Sequence, residues 1–115
     1  MWTKLEPVFE KLGLEYGRQG SYSDPSEYPK GAFFTFWNYD TPEDGFYDNE
    51  SNSAIWFWQV YFYTSDPAIL YSKMDEFIAL AKDAGFIIEG RGDDAPSDRK
   101  DYVGRTIRIK YIERY

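Results

Sequence analysis

The sequence predicts one α+β domain: a mainly antiparallel sheet of about four strands with two helices packed on one face, in the order α-β-β-β-α-β-β. Three observations lead there. Residues 54–64 form an aromatic run whose alternate side chains give two apolar faces. A stripe of period 3.6 follows, opened by Asp66-Pro67 and closed by Gly85. The remaining β-like runs are joined by connections without helical pattern, which implies hairpins. At 115 residues, the whole of 1–115 is long enough for one core and too short for two ordinary ones.

Taken in order, Leu5, Val8, Phe9 and Leu12 fall at i, i+3, i+4 and i+7, so the first helix is expected from Leu5 or Glu6 to Gly13, with Pro7 in its first turn. Residues 14–17 read as a short strand. Residues 18–31 form a loop rich in Gly, Ser, Tyr and Pro, in which Tyr22 and Tyr28 either make contacts or fold over the sheet edge. Residues 32–39 read as a strand with Phe33, Trp37 and Tyr39 on one face and Phe34 and Phe36 on the other.

Residues 40–53 make a long connection in which Asp40, Glu43, Asp44, Asp48 and Glu50 surround Phe46 and Tyr47. The alternation and central Gly of a calcium loop are missing from it, so solvated carboxylates are expected. In the organising strand, Trp56, Trp58, Val60 and Phe62 share one face and Ile55, Phe57, Tyr61 and Tyr63 the other. A strand apolar on both sides is central and needs cover twice.

The second helix places Leu70, Met74, Phe77, Ala81 and Ala84 on one stripe and Lys73, Asp75, Glu76, Lys82 and Asp83 outside it. Residues 86–91 and a strand from 102 to 111 or beyond close the sheet, with 92–100 as a polar turn between them. On the last strand Val103, Ile107, Ile109 and Tyr111 alternate with Thr106, Arg108 and Lys110, so one side is buried and the other wet or paired. Arg91-Gly92-Asp93 is read as a chance tripeptide, Asn49-Glu50-Ser51 as a chance glycosylation pattern, and Asp93, Asp94, Asp98 and Asp101 as a charge-balanced turn beside Arg99 and Lys100 rather than a metal site.

Composition removes whole classes of chemistry. With His 0 and Cys 0, Ser-His, Cys-His and His-metal sites are excluded, as are disulfides and thiolates. The net charge of -7 argues against gripping phosphate backbones, though an acidic surface lets DNA slide past without sticking. The opening Met1-Trp2-Thr3-Lys4 leads into a charged segment, so neither a leader nor a membrane span is expected. Aromatics make up 21% of the chain, and the central ribbon carries more apolar area than one small subunit is expected to hide. A second copy or a partner would shield the remainder.

The helix ending in Leu12-Gly13, the Tyr/Trp-rich hairpin, the run 58–64 leading into Asp66-Pro67, the helix ending Ala84-Gly85-Phe86 and the closing strand 106–111 together resemble small tail-terminator or tail-completion (head-tail joining) proteins of long-tailed bacteriophages and prophages. That resemblance implies a non-enzymatic α+β subunit that assembles with itself into a ring, often a hexamer, capping the tail tube and docking the head connector. DNA would pass through such a ring without specific binding. The location implied is the virion tail or neck, and the bacterial host cytoplasm during assembly, with no membrane partner and no cofactor.

Candidate subunit contacts are Trp37, Trp56, Trp58 and Tyr61; candidates to face a lumen or neighbour are Asp44, Phe46, Tyr47, Asp48 and Glu50. The same aromatics can instead fill a monomer's core. A second reading is a monomeric aromatic-rich module that stacks on a sugar or peptide, with the tyrosine-rich loop 21–28 as one wall. An enzymatic reading would need two carboxylates such as Asp48 and Glu89 in one apolar cleft.

Overall fold

A computed structural model of the chain describes residues 4–18, 31–40, 43–44, 53–96 and 101–114. Their order is α1 (Glu6–Leu12), β1 (Glu15–Arg18), β2 (Ala32–Asp40), β3 (Glu43–Asp44), β4 (Ser53–Thr64), a 3-10 turn (Pro67–Ile69), α2 (Leu70–Asp83), β5 (Ile87–Ala95) and β6 (Val103–Arg114). The strands form one 6-stranded sheet in the spatial order β1-β2-β4-β6-β5, and β3 pairs with the start of β4. The α+β class holds, but the sheet is larger than the expected four strands and is mixed. β1 runs parallel to β2, with Glu15 opposite Phe33, while the other pairings are antiparallel.

The neighbours of β6 follow from its two antiparallel pairings. Because β6 opposes both β4 and β5, those two strands run in the same direction, and α2 is the crossover between them. β6 lies in the gap between them, a split β-α-β arrangement. β4 and β6 pair along their whole length, from Ser53 opposite Arg114 to Thr64 opposite Val103. This pairing is the spine of the domain.

Local chemistry sets the helix ends. Pro7 sits in the first turn of α1, and Gly13 closes it at φ 72°. Before α2, Asp66 accepts a hydrogen bond from the Ala68 N–H at 3.0 Å, with Pro67 next in line, as the sequence predicts. At the other end, Phe86 N–H reaches the Ala81 carbonyl and Gly85 N–H the Lys82 carbonyl, both at 3.0 Å. These are the two bonds of a Schellman cap. It needs a left-handed residue, and Gly85 supplies one at φ 98°.

Both helices cover one face of the sheet. Phe34 and Phe36 from β2, Trp58, Val60 and Phe62 from β4, and Ile107 and Ile109 from β6 pack against Leu5, Val8 and Phe9 of the first helical segment and Leu70, Met74, Phe77 and Ala81 of α2. Phe9 joins the layers. Its ring lies 5.1 Å from Tyr16, 5.2 Å from Phe34, 5.5 Å from Phe36 and 5.4 Å from Phe77. Each large side chain so enclosed stabilises the fold by roughly 1.5–3 kcal/mol relative to exposure.

β5 departs from expectation. Instead of turning at Gly92 it continues to Ala95, because Gly90 and Gly92, at φ 79° and 92°, let the strand bulge and resume. Glu89 pairs with Arg108 and Asp93 with Thr106, so residues 90–92 oppose Ile107 alone. Arg105 holds the bulge, donating to the Gly92 carbonyl at 3.2 Å and pairing with Asp94 at 3.0 Å.

Candidate contact and binding face of the sheet

The face turned away from the helices is built row by row from the strand registers. One row runs Trp37, Gln59, Arg108, Glu89 across β2, β4, β6 and β5; the next runs Thr35, Tyr61, Thr106, Asp93. Beyond these lie Phe33, Tyr63, Gly104 and Ala95 on one side and Phe57, Lys110 and Ile87 on the other. Among the described residues both helices lie on the opposite face. β2 and β4 bring aromatics to this face, whereas β6 brings the polar alternation that its sequence predicts.

The two ends of the face differ. At the end near the start of β2, Phe33 is buried, its ring 5.3 Å from Tyr63 and 6.0 Å from Tyr102. The Tyr63 ring also occupies the space a Cβ on Gly104 would need, at 2.8 Å. At the other end Trp37 is 42% exposed, 6.0 Å from Tyr39, which lies 5.7 Å from Phe57. Ile87, in the Phe57 row, is 44% exposed. Here the face is aromatic and open.

A chain of side-chain bonds crosses the middle. Arg108 Nε donates to Gln59 Oε1 at 2.9 Å, Gln59 Nε2 donates to Thr106 Oγ1, and Thr106 Oγ1 donates to the Val60 carbonyl at 2.9 Å. The Arg108 guanidinium also stands 5.4 Å from the Tyr39 ring centroid, a cation–π contact. Lys110 Nζ is 3.9 Å from Glu89 Oε1. Gln59, Thr106, Arg108, Glu89, Asp93, Gly92 and Ile107 together line a depression of about 390 Å³ beside the β5 bulge.

The four aromatics expected at subunit contacts do not form one surface. Trp37 and Tyr61 belong to the open face, and the Tyr61 ring stacks on Tyr63 at 6.1 Å. Trp56 lies on the helix-covered side, half-buried, stacked 6.2 Å from Trp58 and donating its Nε1 to Glu113 at 3.4 Å. Trp58 is 1% exposed and belongs to the core, so its ring has no surface to offer a neighbour. The expectation that the central ribbon exceeds what one subunit hides is corrected to the same extent. Helices enclose one face of it, and on the other Phe57, Tyr61 and Tyr63 are half-buried, with Trp37 exposed on the neighbouring strand.

Asp44 lies in β3, its backbone opposite Ser53, while Phe46, Tyr47, Asp48 and Glu50 lie outside the described residues, as do Tyr22 and Tyr28. Glu89 is exposed and faces Lys110, and its suggested catalytic companion Asp48 lies outside the described residues. Among the described residues no group of three or more carboxylates is placed to hold a metal ion. No described helix is long and apolar enough to cross a membrane.

The polar row was missed as a site. Its signal was present: Gln59 is the single polar residue between Ala54 and Tyr63, and Thr106, Arg108 and Lys110 are the predicted wet side of β6. On the opposite face, Tyr16 donates its hydroxyl to Glu6 Oε1 at 3.0 Å and reaches Glu10 Oε1 at 3.4 Å. Lost hydration, then the Glu6 hydrogen bond and the negative charges of Glu6 and Glu10, push this phenol up to about 12. No protein-family model matches the sequence, and no curated protein matches it.

Proposed function

We propose that the protein works by association rather than catalysis, as a phage or prophage tail-terminator or head-tail joining subunit that oligomerises into a ring capping the tail tube. The observation that carries this reading is the open aromatic end of the sheet, where Trp37, 42% exposed, continues through Tyr39 to Phe57. Large flat side chains clustered on a firm sheet are the usual anchors of protein contacts. Trp37 and Tyr61 are kept as contact residues in this proposal and Trp56 as a peripheral one; Trp58 is withdrawn. The partners proposed are further copies of the chain in a ring, with a hexamer as the proposed size, together with tail tube and head connector proteins. DNA would pass without specific binding, consistent with a net charge of -7.

Size-exclusion chromatography with light scattering, run with and without tail tubes, tests this. The wild-type chain is expected to elute as a closed oligomer, and Trp37→Glu, which places a charge in the centre of the patch, as a monomer. A wild-type monomer at every concentration, with or without tubes, rejects the assembly reading. The depression beside Arg108 favours a second reading, a monomeric module that binds a sugar or peptide.

A further inference from the structure

We infer that the depression between β4, β6 and the β5 bulge, with Trp37 at its far side, is a binding site for a neutral carbohydrate. The inference rests on the second, binding-module reading and names its ligand class and its site. Charge is the first argument. The carboxylates around the depression, Glu89 and Asp93, are matched by Arg108, which lines it, and Lys110, which faces Glu89 at 3.9 Å. A free anion meets two carboxylates there and a free cation meets two bases, so neither gains a net field. A ligand bearing both donors and acceptors but no charge gains at every position: Arg108 donates, Glu89 and Asp93 accept, and the Thr106 oxygen, its proton given to the Val60 carbonyl, keeps one lone pair to accept. A polyhydroxylated ring meets that requirement.

Preorganisation is the second argument. The bonds from Arg108 to Gln59 to Thr106 to the Val60 carbonyl hold the polar side chains in place before any ligand arrives. The depression also exists because the strand bulges at Gly92, where a Cβ would stand 2.8 Å from the Thr106 carbonyl oxygen. The sheet thus makes room at the point where its hydrogen-bonding side chains cluster.

The third argument is the indole. Trp37 stands in the same row as Gln59, Arg108 and Glu89, and the row spans about 14 Å at about 4.8 Å per strand. A linear trisaccharide can stack its first ring on the exposed indole, cross Gln59 with its second and place its third over Arg108 beside Glu89, joining an apolar platform to fixed polar groups. Monosaccharides reach only one half of this site and are expected to bind more weakly.

The test is a titration of the full chain followed by the four indole N–H resonances. Probes are neutral disaccharides and trisaccharides of glucose, mannose, galactose and N-acetylglucosamine, with dextran sulfate, spermidine and one acidic and one basic extended peptide as comparison arms. The inference expects a neutral saccharide to shift the Trp37 signal while that of buried Trp58 stays still. Trp37→Ala and Glu89→Gln are each expected to weaken binding about tenfold, while Asp75→Asn, on α2, leaves it unchanged. Both Trp37 and Glu89 side chains stand at the surface, so the variants are expected to fold, and unchanged spectra outside the face check this.

A shift of Trp37 with peptides but not saccharides overturns the carbohydrate assignment and leaves the module reading standing. Binding of dextran sulfate or spermidine in preference to neutral sugars overturns it also. Saccharide binding that survives both variants places the sugar elsewhere and overturns the site. No shift with any probe overturns both the inference and the module reading.

Discussion

Phe9→Ala removes the side chain on which the helical layer and the sheet converge. Phe9 is 0% exposed and its ring lies within 5.5 Å of the rings of Tyr16, Phe34, Phe36 and Phe77. A core Phe→Ala change costs about 3–5 kcal/mol through lost transfer energy and the cavity left behind. Four aromatic neighbours, drawn from β1, β2 and α2, leave little freedom for collapse into that cavity, so a value of about 4–5 kcal/mol is expected. That is a large share of a typical domain stability of about 5–15 kcal/mol.

At roughly 4 °C per kcal/mol or somewhat more for a domain just above 100 residues, the melting temperature should fall by about 15–25 °C. Urea unfolding followed by far-UV circular dichroism measures the difference directly, with Asp75→Asn, exposed on α2, as the surface control expected within about 0.5 kcal/mol of wild type. A loss below about 1.5 kcal/mol for Phe9→Ala would mean that α1 is not docked on the sheet through this ring. The layered core described above would then be wrong.

Three further outcomes follow from particular contacts. Gly92→Ala puts a Cβ at φ 92° and 2.8 Å from the Thr106 carbonyl oxygen, so a loss of about 1–3 kcal/mol is expected; a neutral result in the same urea assay speaks against the left-handed bulge. Trp58→Phe removes an indole Nε1 that meets no acceptor among the described residues, so relief of that group offsets part of the lost packing. The net change should stay within about 1.5 kcal/mol, and a loss above about 3 kcal/mol would reveal a hydrogen bond to that nitrogen. For Tyr16, a folded-state value of about 12 against an ordinary 10.0 means that the folded protein holds its proton more tightly than the unfolded chain. Its contribution is fully present below about pH 10 and is lost as pH rises through about 12. Wild type should therefore lose stability relative to Tyr16→Phe across that window, and parallel pH curves for the two proteins would refute the linkage.

Much of the local structure could be read directly from residue order. Asp66 and Pro67 mark the start of the second helical segment because a carboxylate and a pre-set φ satisfy its first turn, and Gly85 marks its end because the closing residue is left-handed. The stripe Leu70, Met74, Phe77, Ala81 is the buried face of α2 as its period requires. The alternation of β6 correctly separated buried Ile107 and Ile109 from polar Thr106 and Arg108. The extension of β5 was hidden because Gly-Asp-Asp reads as turn chemistry. Paired against β6, the same glycines serve as a bulge within a strand.

The face was harder to foresee than the elements. Alternation places Trp56 and Trp58 on the opposite side from Tyr61, but it does not say which side receives the helices. The interface set Trp37, Trp56, Trp58 and Tyr61 therefore mixed two surfaces, with Trp58 enclosed in the core and Trp37 open. Arg108, Gln59 and Glu89 were legible as polar residues. Their convergence depends on registers between strands distant in the chain.

Residue order by itself determined where the helices begin and end, which side chains alternate along each strand, and the exclusion of histidine and cysteine chemistry, because these depend on neighbours within a few positions or on composition alone. The tertiary structure decided that β6 enters between β4 and β5, that β1 runs parallel, and that Trp37 rather than Trp58 meets solvent. It also gathered Gln59, Arg108 and Glu89 into one row. These outcomes depend on strand pairing and on the single face that the helices choose, and both are set by contacts between segments far apart in the chain.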